Sequence, residues 1–110
     1  MSTQEPSQFP KVTEWVIKAI NSEIRRKILR LIYKNEQMTY TELLDSLKIS
    51  TGKLNFHIRQ LTGLVEKVEN KFYVLTELGN KALALIGQLS VFHEKAYVNS
   101  FQNLKGIPLY

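Results

Sequence analysis

Residues 50–65, STGKLNFHIRQLTGLV, decide how the rest of the chain folds around them. Apolar residues recur here at intervals of four and three, which is the spacing of one face of a helix. Ser50 is a good N-cap residue, so the pattern predicts a helix over 51–62. Its buried face is predicted to carry Leu54, Ile58 and Leu61. Phe56 falls on the opposite face among small and polar residues, so we expect that face to contact another molecule.

A second short helix is predicted just before this one. The segment TELLDSLK, 41–48, places its leucines on one side, and either Thr39 or Thr41 caps its start. Thr39 and Glu42 have the spacing of a capping box. Only two residues separate the two helices. Two short helices joined by a tight turn form a helix-turn-helix pattern.

The chain before this pair contains an amphipathic helix predicted over 22–35, with Asn21 or Ser22 as its N-cap. A short helix over 12–20 precedes it, and the brief β-prone segment MTY follows it. The buried face of the longer helix is predicted to carry Ile24, Ile28, Leu31 and Ile32. Its basic residues include Arg25, Arg26, Lys27 and Arg30. They form either a solvated helix face or a set of phosphate contacts, and a run of charged residues is more commonly a solvated face.

The segment after the pair, LVEKVENKFYVLT at 64–76, predicts a β-hairpin, because β-prone runs flank Asn70, which tolerates positive φ. Thr76 then caps a long helix predicted over 77–104. Six apolar residues of that helix alternate spacings of four and three, as in a helix packed lengthwise against another. This seam consists of Leu78, Ala82, Leu85, Leu89, Phe92 and Ala96. We expect it to be a dimer interface, the alternative being that the helix folds back on its own domain.

The composition favours one folded domain with a polyanionic partner. The chain has 110 residues and a formal net charge of +5, and it contains no cysteine. Two histidines are too few for a zinc site, and we expect His57 to be a structural, hydrogen-bonded residue. No catalytic arrangement or cofactor motif is present, so we expect no enzyme, metal or cofactor. No apolar run suits a membrane span and no secretion signal is visible, so the predicted location is cytoplasmic.

Five segments, taken in order, resemble a known family. They are NSEIRRKILRLI, TYTELLDSL, STGKLNFHIRQL, GLVEK and YVLTELGNKAL, and they cover about 21–84. The chain resembles the ArsR-like winged helix-turn-helix regulators, in particular an archaeal-type group of small DNA-binding proteins. The expected fold class is mainly α with a small β-hairpin: a winged helix-turn-helix with a long C-terminal dimerisation helix.

Three regions follow from this layout. We expect a flexible N-terminal arm over 1–11 and a winged helix DNA-binding domain over 12–84. The C-terminal part of the long helix and the tail, over 85–110, are expected to serve dimerisation.

The resemblance implies a homodimeric transcriptional regulator that binds double-stranded DNA sequence-selectively, with the third helix in the major groove and the wing on the backbone. The DNA-binding face that it implies comprises Ser50, Thr51, Gly52, Lys53, Asn55, Phe56, Arg59 and Gln60. The implied wing residues are Lys67, Asn70 and Lys71. The chain departs from the family in two respects. It lacks the cysteine metal box of the metal-sensing members, and its wing turn is too short to reach far into a groove.

The residue types on the third helix fit this function independently of the resemblance. Gly52 leaves room for a phosphate at the helix N-terminus. Lys53 and Arg59 suit phosphate or guanine. Asn55 and Gln60 suit adenine, and Phe56 suits the methyl group of thymine. The alternative is a winged helix protein–protein interaction module without DNA binding, in which the aromatic and basic face docks an acidic partner.

Overall fold

The computed structural model describes residues 14–88. Its helices are α1 (14–20), α2 (Glu23–Asn35), α3 (Tyr40–Leu47), α4 (Thr51–Gln60) and α5 (77–88). Its strands are β1 (Met38–Thr39), β2 (Val65–Val68) and β3 (Phe72–Leu75). The predicted arm over 1–11 and the seam residues Leu89, Phe92 and Ala96 lie outside the described residues. Within them, the element order is the predicted one, a mainly helical winged helix-turn-helix.

Helix α2 begins where the sequence predicts it. The Ser22 side chain caps it by accepting a hydrogen bond from the backbone N–H of Arg25 at 3.3 Å. The fully buried residues of α2 are Ile28, Leu29 and Ile32. The predicted buried face did not include Leu29, and it included Ile24 and Leu31, which are only half-buried. The face that packs on the core is therefore centred nearer to Leu29 than the spacing alone indicated.

Helix α3 is fixed at both ends by its own backbone and side chains. Thr39 accepts from the N–H of Glu42, and the Glu42 carboxylate accepts from the N–H of Thr39, which completes the predicted capping box. This result selects Thr39 over Thr41 as the cap. At the other end Lys48 adopts a left-handed conformation with φ 54°, and its N–H donates to a carbonyl of the last turn. The chain thereby turns at once into α4.

Helix α4 has the predicted cap and the predicted helical phase. The Ser50 side chain accepts from the N–H of Lys53 at 3.1 Å. Leu54 and Leu61 are completely buried, and Ile58 is half-buried. The helix ends at Gln60, two residues before the predicted end.

A three-stranded antiparallel sheet with the order β1-β3-β2 forms the wing and its base. Tyr73 of β3 lies opposite both Met38 of β1 and Lys67 of β2. The predicted hairpin turns at Glu69 and Asn70, whose φ values of 52° and 53° are the two positive φ angles of a type I′ turn. The sequence indicated positive φ only for Asn70. Glu69 shares it because a type I′ turn requires positive φ at both of its central residues.

The first turn of helix α5 is anchored to the segment between α4 and β2. Thr76 caps the helix by accepting from the N–H of Gly79 at 3.0 Å, as predicted, and its hydroxyl donates to the carbonyl of Gly63 at 2.7 Å. A Cβ at Gly79 would lie 2.0 Å from the carbonyl oxygen of Leu64, so only glycine allows this close approach. The start of α5 therefore lies directly against the end of the helix-turn-helix.

The described part of α5 contributes to the domain's own core. Ala82 is 2% exposed and Ile86 is 4% exposed, while Leu78 and Leu85 are half-buried against the same core. Three of the six seam residues thus have contacts within the chain. Ile86 was not among the predicted seam residues, although it is more deeply buried than Leu78 or Leu85.

Candidate nucleic-acid interface

The outward face of α4 carries an aromatic side chain that the core does not use. Phe56 is 48% exposed, whereas Leu54 on the opposite face is fully buried. Apart from its chain neighbours and the backbone of α4, no atom of residues 14–88 lies within 4 Å of the position that a Cβ on Gly52 would take, so the helix surface at Gly52 is open. The other predicted residues of this face are also exposed: Ser50, Thr51, Lys53, Asn55, Arg59 and Gln60. We call this set, with Gly52 and Phe56, the α4 face.

The charge of the α4 face is not neutralised by the described part of the chain. Helix α4 contains no acidic residue. The only ion pairs among residues 14–88 join Lys27 to Glu23 at 4.0 Å and Lys81 to Glu77 at 3.8 Å, both on exposed surfaces of other helices. A face with an open helix N-terminus and cations without nearby carboxylates attracts anions.

The wing presents the three predicted polar residues to solvent. Lys67, Asn70 and Lys71 are all exposed. The ammonium group of Lys67 lies 5.4 Å from the centre of the Tyr73 ring, and that of Lys71 lies 5.1 Å from the centre of the Phe72 ring. These aromatic rings favour positions of the lysine stems along the strands, because a cation is attracted to the ring face.

The wing and the start of α3 enclose an open cleft. Its lining consists of Thr39, Tyr40, Thr41, Lys67, Asn70 and Lys71. Sequence reasoning did not assign Tyr40 or Thr41 to the site. The pairing of β1 with β3 brings them beside the wing, and a two-residue strand leaves too weak a pattern to reveal that pairing from the sequence.

Tyr40 also connects this cleft to α4. Its phenol oxygen lies 2.8 Å from Oδ1 of Asn55 and 3.4 Å from the backbone oxygen of Thr51. The wing cleft, Tyr40 and the α4 face therefore form one continuous surface. Asn55, predicted to contact bases freely, already has an intramolecular partner.

His57 is hydrogen-bonded within the domain, as predicted. Nη1 of Arg25 lies 3.0 Å from Nδ1 of His57, and because a guanidinium only donates, Nδ1 accepts and the imidazole is neutral. Partial burial and the nearby cations Arg25 and Lys53 lower the pKa of His57. The same guanidinium donates to the backbone oxygens of Lys18 and Ala19 at the end of α1. Arg25 thus joins α1, α2 and α4.

The basic residues of α2 divide into two groups. Arg26 donates to the backbone oxygen of Ile20 at 2.8 Å, so it holds the end of α1 together with Arg25. Lys27 pairs with Glu23, and Arg30 is exposed. Arg25 and Arg26 therefore serve as structural donors, which neither of the two sequence-based interpretations included.

The described residues contain neither a cluster of metal-ligating side chains nor a membrane-spanning helix. No three potential metal-ligating side chains lie together in 14–88. None of the helices in this part of the chain is long and apolar enough to cross a membrane.

Comparison with known proteins identifies the fold of the central segment. Residues 21–62 match a family model described as "Winged helix-turn-helix DNA-binding". The match covers less than half of the chain and extends from the cap of α2 to just beyond α4. No curated protein sequence is significantly similar to the chain.

Two solved structures are similar in fold. A mutant of Lactococcus lactis ZitR in its apo form is 21% identical with a TM-score of 0.50, and the alignment covers 96% of this chain and 83% of ZitR. The adhesin competence repressor AdcR from Streptococcus pyogenes is 22% identical with a TM-score of 0.49, with the same coverage. At this identity the ZitR similarity bears on the fold alone. The chain therefore contains a winged helix-turn-helix, and its residues 21–62 match a DNA-binding family of that fold.

Proposed function

We propose that the chain is a homodimeric transcriptional regulator that binds double-stranded DNA sequence-selectively through α4. The observation that carries this proposal is the α4 face, where Phe56 is half-exposed on a helix without acidic residues. Residues 21–62 match a DNA-binding family, which supports the same partner. The resemblance to the ArsR-like, archaeal-type regulators belongs to this proposal and rests on the five sequence segments that carry it.

Helix α4 enters the major groove in this proposal. The first N–H groups of a helix have no intrahelical acceptor, and Ser50 satisfies only that of Lys53. A phosphate at the open N-terminus, over Gly52, accepts from the remaining groups. Arg59 then lies two turns along the helix for contact with guanine or phosphate, and Phe56 packs on thymine methyl groups.

The wing contacts the phosphate backbone. Its turn has only two left-handed residues, Glu69 and Asn70, so the hairpin is too short to reach deep into a groove. Lys67 and Lys71 carry the positive charge of this element, and backbone contacts of this kind position a protein without reading sequence.

Dimerisation through the long C-terminal helix is the third part of the proposal. The seam predicts packing against the same helix of a second copy under two-fold symmetry. Ala82 is already buried within the chain, so a partner helix meets mainly the seam residues beyond it. Two domains then present two α4 faces to successive major grooves about 34 Å apart, on an inverted-repeat site.

A gel shift with genomic fragments tests the DNA partner. We expect retention at low salt that weakens steeply as salt rises, because phosphate contacts release counterions. Phe56→Ala should remove selective retention. Tyr33→Ala is the matched control, because Tyr33 is an exposed aromatic residue of α2, 63% exposed and outside the α4 face. Absence of retention by the wild type at ~50 mM salt would instead favour the protein–protein interaction module.

Sedimentation tests the dimer separately. Leu89→Asp combined with Phe92→Asp places two carboxylates in the predicted seam, and we expect the double variant to sediment as a monomer. A wild type that is monomeric at micromolar concentration, or a double variant that stays dimeric, would exclude this interface. The N-terminal helix with Trp15, which is 40% exposed, is then the next surface to test.

A further inference from the structure

We propose that Tyr40 sets the base preference of Asn55 by fixing the orientation of its side-chain amide. This inference rests on the proposed binding of DNA through α4 and adds a specificity-determining residue that does not itself contact a base. It replaces the expectation that Asn55 reads adenine.

The distances decide which group accepts the tyrosine proton. The phenol oxygen of Tyr40 lies 2.8 Å from Oδ1 of Asn55 but 3.4 Å from the carbonyl oxygen of Thr51. Ordinary O–H···O hydrogen bonds span about 2.5–3.0 Å, so the hydroxyl donates to Asn55. Because the donor faces Oδ1, the amide oxygen points toward Tyr40 and the NH₂ group points away from it.

Tyr40 is held by structure on three sides. It is the first residue of α3 and lies within the capping box that Thr39 forms with Glu42. Its neighbour Thr39 pairs with Phe72 of the wing, and its partly buried ring packs against the hydrophobic core. The backbone of Asn55 is also fixed, since Asn55 lies in α4 directly after the fully buried Leu54. The Tyr40 ring and the Asn55 backbone therefore hold the two groups within hydrogen-bond distance, and that bond orients the exposed amide.

The fixed orientation changes what Asn55 can read. An asparagine that pairs with adenine uses its oxygen to accept from N6 and its nitrogen to donate to N7. Here Oδ1 is turned toward the Tyr40 hydroxyl, which takes one of its two lone pairs, so the end of the amide that is directed away from Tyr40 is the NH₂ donor. Guanine offers only acceptors, N7 and O6, at its major-groove edge. Adenine has a donor, N6, next to its acceptor N7, and that donor faces the NH₂ group of Asn55 unfavourably. Asn55 therefore selects guanine over adenine at the position that it contacts.

Selection of bound sequences from a random duplex pool tests this inference. The wild type should show guanine at one position per half-site, and Asn55→Ala should lose the preference at that position. Tyr40→Phe keeps the ring but releases the amide, so the ratio of guanine to adenine at the same position should fall by roughly tenfold. The salt dependence of binding should stay unchanged, because no cation is removed. Tyr33→Phe, on exposed α2 surface, should leave the preference intact.

The outcomes separate this inference from the proposed function. Binding without any change of preference in Tyr40→Phe would overturn the role of Tyr40 and leave the DNA-binding proposal standing. Adenine at the Asn55-dependent position of the wild type would also overturn the inference, and this measurement does not require that Tyr40→Phe fold. Loss of all wild-type binding at ~50 mM salt would contradict the proposed function itself.

Discussion

Helices α2 and α4 begin in the same way but use their basic residues differently. Each is amphipathic, begins after a capping serine and carries arginine or lysine outside its buried face. In α2, Arg25 and Arg26 donate to three consecutive backbone oxygens at the end of α1. In α4, the exposed cations have no carboxylate within 4 Å among residues 14–88.

The difference lies in what stands opposite each helix. The last carbonyl groups of a helix have no intrahelical partner and carry partial negative charge. The end of α1 offers such carbonyl oxygens to the arginines of α2. The basic residues of α4 lie on the face that is exposed to solvent. A basic helix face therefore indicates a polyanionic partner only when no helix end within the domain satisfies it.

The largest expected effect is a difference between two residues on opposite faces of α4, Leu54 and Phe56. Leu54→Ala should lower the free energy of unfolding by about 2–5 kcal/mol, because it leaves a cavity in the core. Phe56→Ala should cost far less stability while removing selective DNA binding. Urea unfolding and gel shifts measure the two effects. A large loss of stability in Phe56→Ala would show that the α4 face is needed for folding.

The next effect compares one arginine from each helix. Arg25→Ala should lower the free energy of unfolding by about 2 kcal/mol, because charged hydrogen bonds to α1 and His57 are lost. Arg59→Ala should change stability by less than about 0.5 kcal/mol and weaken specific DNA binding by about 1–3 kcal/mol.

Arg25→Lys is the control for charge. It keeps the cation but replaces the guanidinium fork, so most of the stability should still be lost. If Arg25→Lys is as stable as the wild type, charge rather than the set of hydrogen bonds holds α1. Equal effects of Arg25→Ala and Arg59→Ala on DNA affinity would erase the distinction between the two helices.

A smaller effect is expected at the wing. Lys71→Ala should weaken all DNA sequences alike and lower the slope of log affinity against log salt by about one unit, since one phosphate contact is lost. Titrations at several salt concentrations measure the slope. A loss confined to one sequence would mean that Lys71 reads a base instead.

The smallest effect concerns the dependence of stability on pH, through the imidazole of His57 that contacts Arg25. Burial and nearby cations hold the pKa of His57 below its usual 6.5, so the unfolded chain binds a proton that the folded chain does not. This contribution to stability is fully present above pH 6.5 and is lost as pH falls through the lowered pKa. We therefore expect a lower melting temperature at pH 5.5 than at pH 7.5.

His57→Asn isolates this group from His93 and the carboxylates. Asparagine retains an acceptor near the position of Nδ1 but does not titrate, so the melting temperature should depend less on pH over the same interval. An unchanged pH dependence in His57→Asn would show that another group is responsible.

Local sequence determined most of the secondary structure correctly, because each signal acts within one turn. The caps at Ser22, Thr39 and Ser50 each satisfy an N–H group only three residues away. The phase of α4 follows from the spacing of Leu54 and Leu61, and it placed Phe56 on the exposed side. These features need no knowledge of the rest of the fold.

The sequence was less informative where two elements meet. Leu29 lies at the edge of the helical pattern, and its complete burial depends on which neighbours cover α2. Tyr40 became part of the candidate site only through the pairing of β1 with β3 and the distance to Asn55. The hydrogen bonds of Arg25 depend on the position of the C-terminal end of α1 in the folded domain.

The amino-acid sequence by itself determined the order of elements, the helix starts and which face of α4 avoids the core, since capping and apolar spacing act over a few residues. Only the tertiary structure decided which polar side chains remain free to contact another molecule. Arg25 and Asn55 are both polar residues near the surface, and both have partners from distant segments: Asn55 meets Tyr40 and Arg25 meets His57. Hydrogen bonds between elements depend on how those elements pack, and residue spacing within one element does not encode that packing.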